Sequence, residues 1–248
     1  MEYAVYINQL YKRYPMATVN ALDGLSLHFQ PGIIAGILGP NGAGKTTAIG
    51  VLCGIIPADS GTAQVQGLDV VKDKNTIQQK IGVVPQQMAL FPQLSGYENL
   101  EYIGRLYHIP HKELKSRIAE LAERLGLTAH MHKRTQHYSG GMKRRTNIIA
   151  GLLHQPDILI LDEPTAGVDV QSRALILDFL KEYNQAGKTI LYTSHLLEEA
   201  QRICDDVAII DEGKLIIQGS PEALIQQTPD CKNLEDVFLH FTGRLLRE

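Results

Sequence analysis

No apolar run in this chain of 248 residues approaches the ~20 needed to cross a bilayer as a helix. The longest, "IGVLCGIIPA" (49–58), is short and is broken by glycine and proline. The N-terminal "MEYAVYINQLYKRY" lacks the basic-then-apolar layout of a signal peptide. Cysteine is scarce: Cys53, Cys204 and Cys231 lie far apart with no CxxC pair, which fits reduced cytosolic thiols better than a disulfide framework. Charge of one sign is also missing. A formal net charge of −3 gives no general pull toward nucleic acid or anionic lipid. Internal repeats and low-complexity tracts are absent. A chain with these gaps is expected to be soluble by itself, and any membrane role has to come through a partner.

What is present is a series of short apolar runs bounded by turn signals. "AVYI", "LSLHF" and "IIAGIL" come first, and "TAQVQG" alternates as a half-exposed strand does. "IGVVP", "DILILD", "TILYTS" and "VAIID" are apolar enough for strands buried on both faces. Helical patterns separate these later strands, which predicts βαβ units and a parallel sheet. "VAIIDEGKLIIQG" reads as a hairpin with Asp211, Glu212 and Gly213 at its turn. Between Pro92 and His154 the pattern turns helical throughout, predicting an α-helical insertion within the α/β frame. After Gly219, Ser220 is placed as a helix N-cap with Pro221 at the first helical position.

Chemistry concentrates at the strand ends. "GPNGAGKTT" (39–47) matches G-x-x-x-x-G-K-[ST] between an apolar strand and a helical run. Gly39, Pro40, Asn41, Gly42, Ala43 and Gly44 form the loop. Its glycines let successive backbone N–H groups, and the helix N-terminus, point at a bound phosphate. Lys45 supplies a positive charge for the β- and γ-phosphates, Thr46 a hydroxyl for Mg²⁺, and Thr47 a contact near the α-phosphate. "DILILDEP" (157–164) ends a buried strand with two carboxylates. Asp162 is assigned to the Mg²⁺ side through a water, and Glu163 is assigned as general base, held extended by Pro164. His195 ends the strand "TILYTSH", with Ser194 as cap of the next helix, and is placed at the γ-phosphate. Gln86 in "PQQ" ends another strand, where its amide can reach Mg²⁺ or the attacking water.

Other clusters receive plainer readings. His130, His132 and His137 have no cysteine or well-spaced carboxylate beside them and are read as a loop cluster, not a metal site. "KRR" (143–145) is read as a charged, solvated helix face. "YSGG" (138–141) is a second anion-binding turn, a hydroxyl and two glycines before a helix, but without a lysine.

The order of "GPNGAGKTT", "PQQ", "YSGGMKRR", "ILILDEPTAGVD" and "TSH" resembles the ATPase subunit of an ABC (ATP-binding cassette) transporter over nearly the whole chain. The resemblance implies an α/β fold: a P-loop NTPase core with a mostly parallel sheet, an N-terminal antiparallel β subdomain and an α-helical insertion carrying the signature. The ATPase domain is placed at 3–228 with the insertion at about 88–154, followed by a tail at 229–248. It also implies ATP and Mg²⁺ as ligands, with Tyr14 stacking on adenine and Thr46, Gln86 and Asp162 on the metal side. Gln86, Glu163 and His195 match the family's Q-loop, catalytic base and switch histidine. Ser139, Gly140 and Gly141 match the signature, which in the family closes over the nucleotide of a second ATPase subunit, and Gly167–Asp169 match the D-loop. Tyr138 and Met142 depart from the usual leucine and glutamine, as Val168 and Val170 do from leucine and proline. The implied partners are that second subunit and a separate transmembrane permease, with the chain cytoplasmic and peripheral on the inner face of the membrane. "YSGGMKRR" and "LEDVFLHFTGR" (234–244) are similar to the branch that exports drugs, antibiotics and lipophilic or polysaccharide cargo. No nucleic-acid partner is expected. A soluble cassette working on ribosomes or DNA, which usually has tandem cassettes or a long coiled coil, is the alternative; a P-loop kinase and a non-hydrolysing regulatory module are further rivals.

Overall fold

The computed structural model describes residues 3–243. The chain opens with strands β1 (Val5–Lys12), β2 (Leu22–Phe29) and β3 (Ile34–Leu38), then α1 (Lys45–Leu52). Next come β4 (Ser60–Val65), β5 (Leu68–Asp69), α2 (Lys74–Lys80) and β6 (Ile81–Val84). Three helices follow, α3 (Gly96–Leu106), α4 (His111–Arg124) and α5 (Gly140–Leu152). The chain then returns to β7 (Ile158–Asp162), α6 (Val170–Gln185), β8 (Thr189–Ser194) and α7 (Leu197–Ile203). It finishes with the hairpin β9 (Asp206–Asp211) and β10 (Lys214–Gly219), then α8 (Pro221–Gln227) and α9 (Leu234–Thr242).

Two sheets result. The first, in order β2-β1-β4-β5, is antiparallel. The second, in order β10-β9-β3-β8-β7-β6, is parallel except for the β9–β10 hairpin. β3, β7 and β8 are buried at every residue, as continuous apolar runs in a sheet covered on both faces should be. One core lies between the antiparallel sheet, α1 and one face of the parallel sheet, and includes Leu10, Phe29, Ile37, Leu52 and Ile160. The other joins the opposite face to the helical insertion and the C-terminal helices, through Leu100, Leu114, Ile148, Leu159, Tyr192 and Phe238.

Helix starts follow their local chemistry. Ser95 caps α3 in a full capping box with Glu98, Asp169 caps α6, and Ser220 caps α8 with Pro221 behind it. Ser194 does not cap α7. Its hydroxyl accepts from Leu196 N at 2.9 Å inside a short turn, and the helix begins after Leu196. In the tail segment at 229–248, α9 buries Leu234, Val237 and Phe238 in the helical-side core. Residues 244–248 of that tail lie outside the described residues.

Candidate functional site

In parallel α/β sheets ligands collect beyond the carboxyl ends of the strands. Here β3, β6, β7 and β8 end together, delivering residues 39–47, Gln86, Asp162 with Glu163, and His195 to one place. The loop after β3 depends on glycine at two close approaches. A Cβ on Gly39 would sit 2.1 Å from the Ile210 carbonyl, and one on Gly44 (φ +106°) would sit 2.4 Å from the Ala21 carbonyl. Gly44 then starts α1 directly, with no side-chain cap, so the first helical N–H groups stay open to an anion.

Lys45 is 5% exposed, and its Nζ donates to the carbonyls of Gly39 (2.7 Å) and Pro40 (3.0 Å). It also lies 3.4 Å from Glu163 Oε1. Burial pushes its pKa down, while the charges of Glu163 and Asp162 pull it back up. Thr46 Oγ1 donates to Asp162 Oδ2 at 2.9 Å. Asp162 Oδ1 accepts from Thr193 Oγ1 at 2.6 Å, and that same hydroxyl accepts from Glu163 N at 3.0 Å. Thr193, next to last in β8, therefore clamps both acidic positions. No motif marked it; its signal was a polar side chain one residue before the end of a strand that is buried throughout.

Glu163 is the meeting point. Its Oε2 accepts from Gln86 Nε2 at 3.0 Å, and its Oε1 faces Lys45 and, at 3.3 Å, His195 Nδ1. The histidine contact has ion-pair distance without hydrogen-bond alignment. The backbone at Glu163 differs from expectation. It is not extended by Pro164 but left-handed, at φ +48°. β7 stops at Asp162, and the positive φ turns the next residue so that both carboxylates serve one site although strand alternation would separate them. A non-glycine residue held this way costs about 1–2 kcal/mol, which the bonds of Glu163 N to Thr193 help to offset.

Tyr14 stands beside the loop, its hydroxyl 3.2 Å from Thr47 Oγ1, and the residue is 42% exposed. Tyr11, three positions earlier, is turned toward Gly24. The signature turn is not part of this cluster. Ser139 caps α5, accepting from Met142 N at 3.2 Å. Among the described residues no hydrogen bond or ion pair joins Ser139, Gly140 or Gly141 to residues 39–47. Tyr138, where the resembled family usually has leucine, is buried and donates its hydroxyl to the His130 carbonyl at 2.7 Å. His132 stacks on Tyr97, and His137 pairs with Gln136.

The solvated-face reading of "KRR" fails. Arg144 is 2% exposed, and Arg145 donates to the Leu125 carbonyl at 2.7 Å. A signal was available: positions 144, 148 and 152 share one helical stripe, and Ile148 and Leu152 are core residues.

The profile of the ABC transporter family matches residues 22–166, from β2 through the carboxylates of the site. The chain belongs to the ABC transporter family. It is an ATP-binding and ATP-hydrolysing subunit. A second profile, of AAA domains, overlaps the first at residues 134–199. The chain is 46% identical over 209 residues to the linearmycin resistance ATP-binding protein LnrL of Bacillus subtilis, covering 84% of this chain and 67% of that one. It is 38% identical to the daunorubicin resistance ATP-binding protein DrrA3 of Streptomyces coeruleorubidus, covering 98% and 75%. Among solved structures, cbiO1 of Clostridium perfringens, part of the ABC transporter complex cbiONQ, superposes with a TM-score of 0.81 at 30% identity, covering 92% of each chain. Among the described residues no helix is long and apolar enough to cross a membrane.

Proposed function

We propose that this cassette energises export through a separate membrane-spanning partner, working as a pair on the inner face of the membrane. The observation that carries the reading is the convergence of Lys45, Gln86 and His195 on Glu163 at the mouth of a complete phosphate loop. Such a carboxylate is built to take a proton from water, and a phosphoryl group on Lys45 would lie within its reach.

The residue roles proposed here combine this placement with the family resemblance. Backbone N–H groups of Gly42–Thr47 and the Lys45 ammonium hold the β- and γ-phosphates, and Tyr14 stacks on the adenine. The oxygens of Thr46 and Asp162 and the amide of Gln86 form a hard donor set at the loop, which fits Mg²⁺. That ion, when bound, neutralises charge on the β- and γ-phosphoryl oxygens. Glu163 removes a proton from the attacking water, while Gln86 and His195 hold the carboxylate and the γ-phosphate in register. Ser139 and Gly140 are exposed, with Gly141 buried behind them against Ser172, and the turn they form suits the γ-phosphate of the second subunit's nucleotide. The resistance and Nod factor export names of the relatives support lipophilic, drug-like or polysaccharide cargo.

The test is co-expression with a candidate multi-span membrane protein, sought among the neighbouring genes. The purified pair, in lipid vesicles, should release phosphate from ATP with no acceptor present and move a lipophilic probe out of the compartment that holds the cassette's face. Recovery of the chain with ribosomes or DNA, and not with membranes, would overturn the reading.

A further inference from the structure

Arg144 lies on the helix that the signature turn begins, yet its bonds belong to the other side of the site. Its Nη1 donates to the Pro85 carbonyl and its Nη2 to the Gln86 carbonyl, both at 2.9 Å. Gln86 in turn reaches Glu163 through its side-chain amide at 3.0 Å. Ser139, the N-cap of α5, stands five positions earlier, roughly 7 Å along the axis at 1.5 Å per residue. Residues 85–89 are otherwise exposed. Among the described residues no other hydrogen bond outside the sheet ladder reaches the backbone of 85–90.

We infer that Arg144 is a positioning residue: it couples the signature helix to the backbone at Pro85–Gln86, so that a shift at Ser139 resets the Gln86–Glu163 contact in the same chain. The inference rests on the roles given above to Ser139, Gln86 and Glu163. It makes the surface that meets a second subunit's nucleotide and the base of the chain's own site two ends of one linkage.

The residue type fits this task. A guanidinium presents a rigid planar fork that can hold two successive carbonyls at once, which a lysine ammonium on a flexible stem does not reproduce. Burying it is costly, and Nε has no partner. Burial pushes the Arg144 pKa down, and the nearby Asp162 and Glu163 charges counter this. On a stripe shared with Ile148 and Leu152, an apolar side chain would fill the space without that penalty. Two directed hydrogen bonds are what the arginine adds.

A merely structural strap and a positioning link separate in a double-mutant cycle. Arg144→Met and Gln86→Ala are made singly and together in the full chain, and phosphate release from MgATP is measured in steady state and in single turnover. Misplacing a catalytic contact by about 1 Å can cost on the order of 100-fold. Arg144→Met should therefore lower kcat roughly 10- to 100-fold with KM for ATP within about threefold. On the Gln86→Ala background, where the contact to be positioned is gone, the same substitution should cost less than about twofold. An equal loss on both backgrounds overturns the inference. Arg144→Lys, paired with Gln86→Ala in the same way, decides the matter where thermal melting shows the methionine variant unfolded; parental kcat in Arg144→Lys would refute the fork argument. If Gln86→Ala and Glu163→Gln themselves left turnover intact, the failure would lie in the reading of the site and not in the linkage.

Discussion

Replacing Glu163 by glutamine separates two effects that the structure stacks on one carboxylate. The change keeps size and leaves the left-handed backbone at position 163 in place, but removes the charge and the proton acceptor. At 3.4 Å from Lys45 Nζ, with an effective dielectric of 20, that charge is worth about 5 kcal/mol of gross attraction. Desolvation of the two buried groups cancels most of it, leaving a residual of about 1–2 kcal/mol. A γ-phosphate arriving at Lys45 has to compete with this attraction and also meets the carboxylate's repulsion. Glu163→Gln should therefore bind ATP about 5- to 30-fold more tightly, the factor that 1–2 kcal/mol gives. Turnover should move the other way. Loss of a positioned general base costs about 10²- to 10⁴-fold, or about 3–5 kcal/mol of barrier. Lys45 stays anchored by the carbonyls of Gly39 and Pro40, so the loop should keep its shape. The assay pairs fluorescent-nucleotide titration with phosphate release. Turnover within tenfold of the parent, or weaker ATP binding, would refute the argument, since simple damage to the site weakens both properties together.

Ser139→Arg should leave ATP affinity of the isolated subunit unchanged, because no bond ties Ser139 to the phosphate loop, while abolishing ATP-dependent pairing on size exclusion; a variant that pairs and hydrolyses normally would disprove the signature assignment. Glu199→Ala removes the acceptor for Thr165 Oγ1 (2.6 Å) and Tyr192 OH (2.9 Å) and the partner of Arg173. The two hydroxyls, 3.2 Å apart, can still bond each other, so one buried O–H is left without an acceptor and Arg173 loses its partner. This predicts about 2 kcal/mol of lost stability in urea titration, and a loss under about 1 kcal/mol would show the network to be dispensable. Asp206 carries a pH-dependent test. Burial raises its carboxyl above the ordinary range, so its contribution is fully present below the unfolded value of ~3.9 and is lost as pH rises through the folded one. Asp206→Asn, which keeps an acceptor for Gln218, should raise the urea midpoint at pH 7 and leave it unchanged near pH 3.5; an equal shift at both values would exclude the ionisation as its cause.

The elements that carry strong periodicity or fixed spacing were legible from residues alone. The phosphate loop, the acidic end of β7 and the β9–β10 hairpin stand where "GPNGAGKTT", "DILILDEP" and "VAIIDEGKLIIQG" put them. Features that depend on neighbours distant in sequence were not. The conformation of Glu163 contradicts the local preference of a residue before proline, because its N–H is claimed by Thr193, thirty positions on. The burial of Arg144 contradicts its charge, because the carbonyls that accept its fork are some sixty positions earlier. In both cases a local rule yields to a hydrogen bond that exists only once the sheet order is set, and both lie at the site, where such conflicts are expected to concentrate.

The incomplete anion turn at Ser139 is explained by what surrounds it. The Ser139 oxygen is already accepting from Met142 N, which leaves its O–H and the outward N–H groups of the first helical turn as donors. With no lysine in the turn, those donors suit a phosphate whose charge is largely neutralised elsewhere. Gly141 cannot carry a side chain, because a Cβ there would lie 2.3 Å from Ser172 Oγ on α6. The same α6 is capped by Asp169 of the segment matched to the D-loop. The signature turn is thus packed on the segment that the family places against the second subunit, and through Arg144 it is tied to Gln86. A turn with weak phosphate affinity and tight mechanical attachments is suited to reporting that a nucleotide is held by another chain, whereas a turn strong enough to bind phosphate alone would signal regardless of pairing.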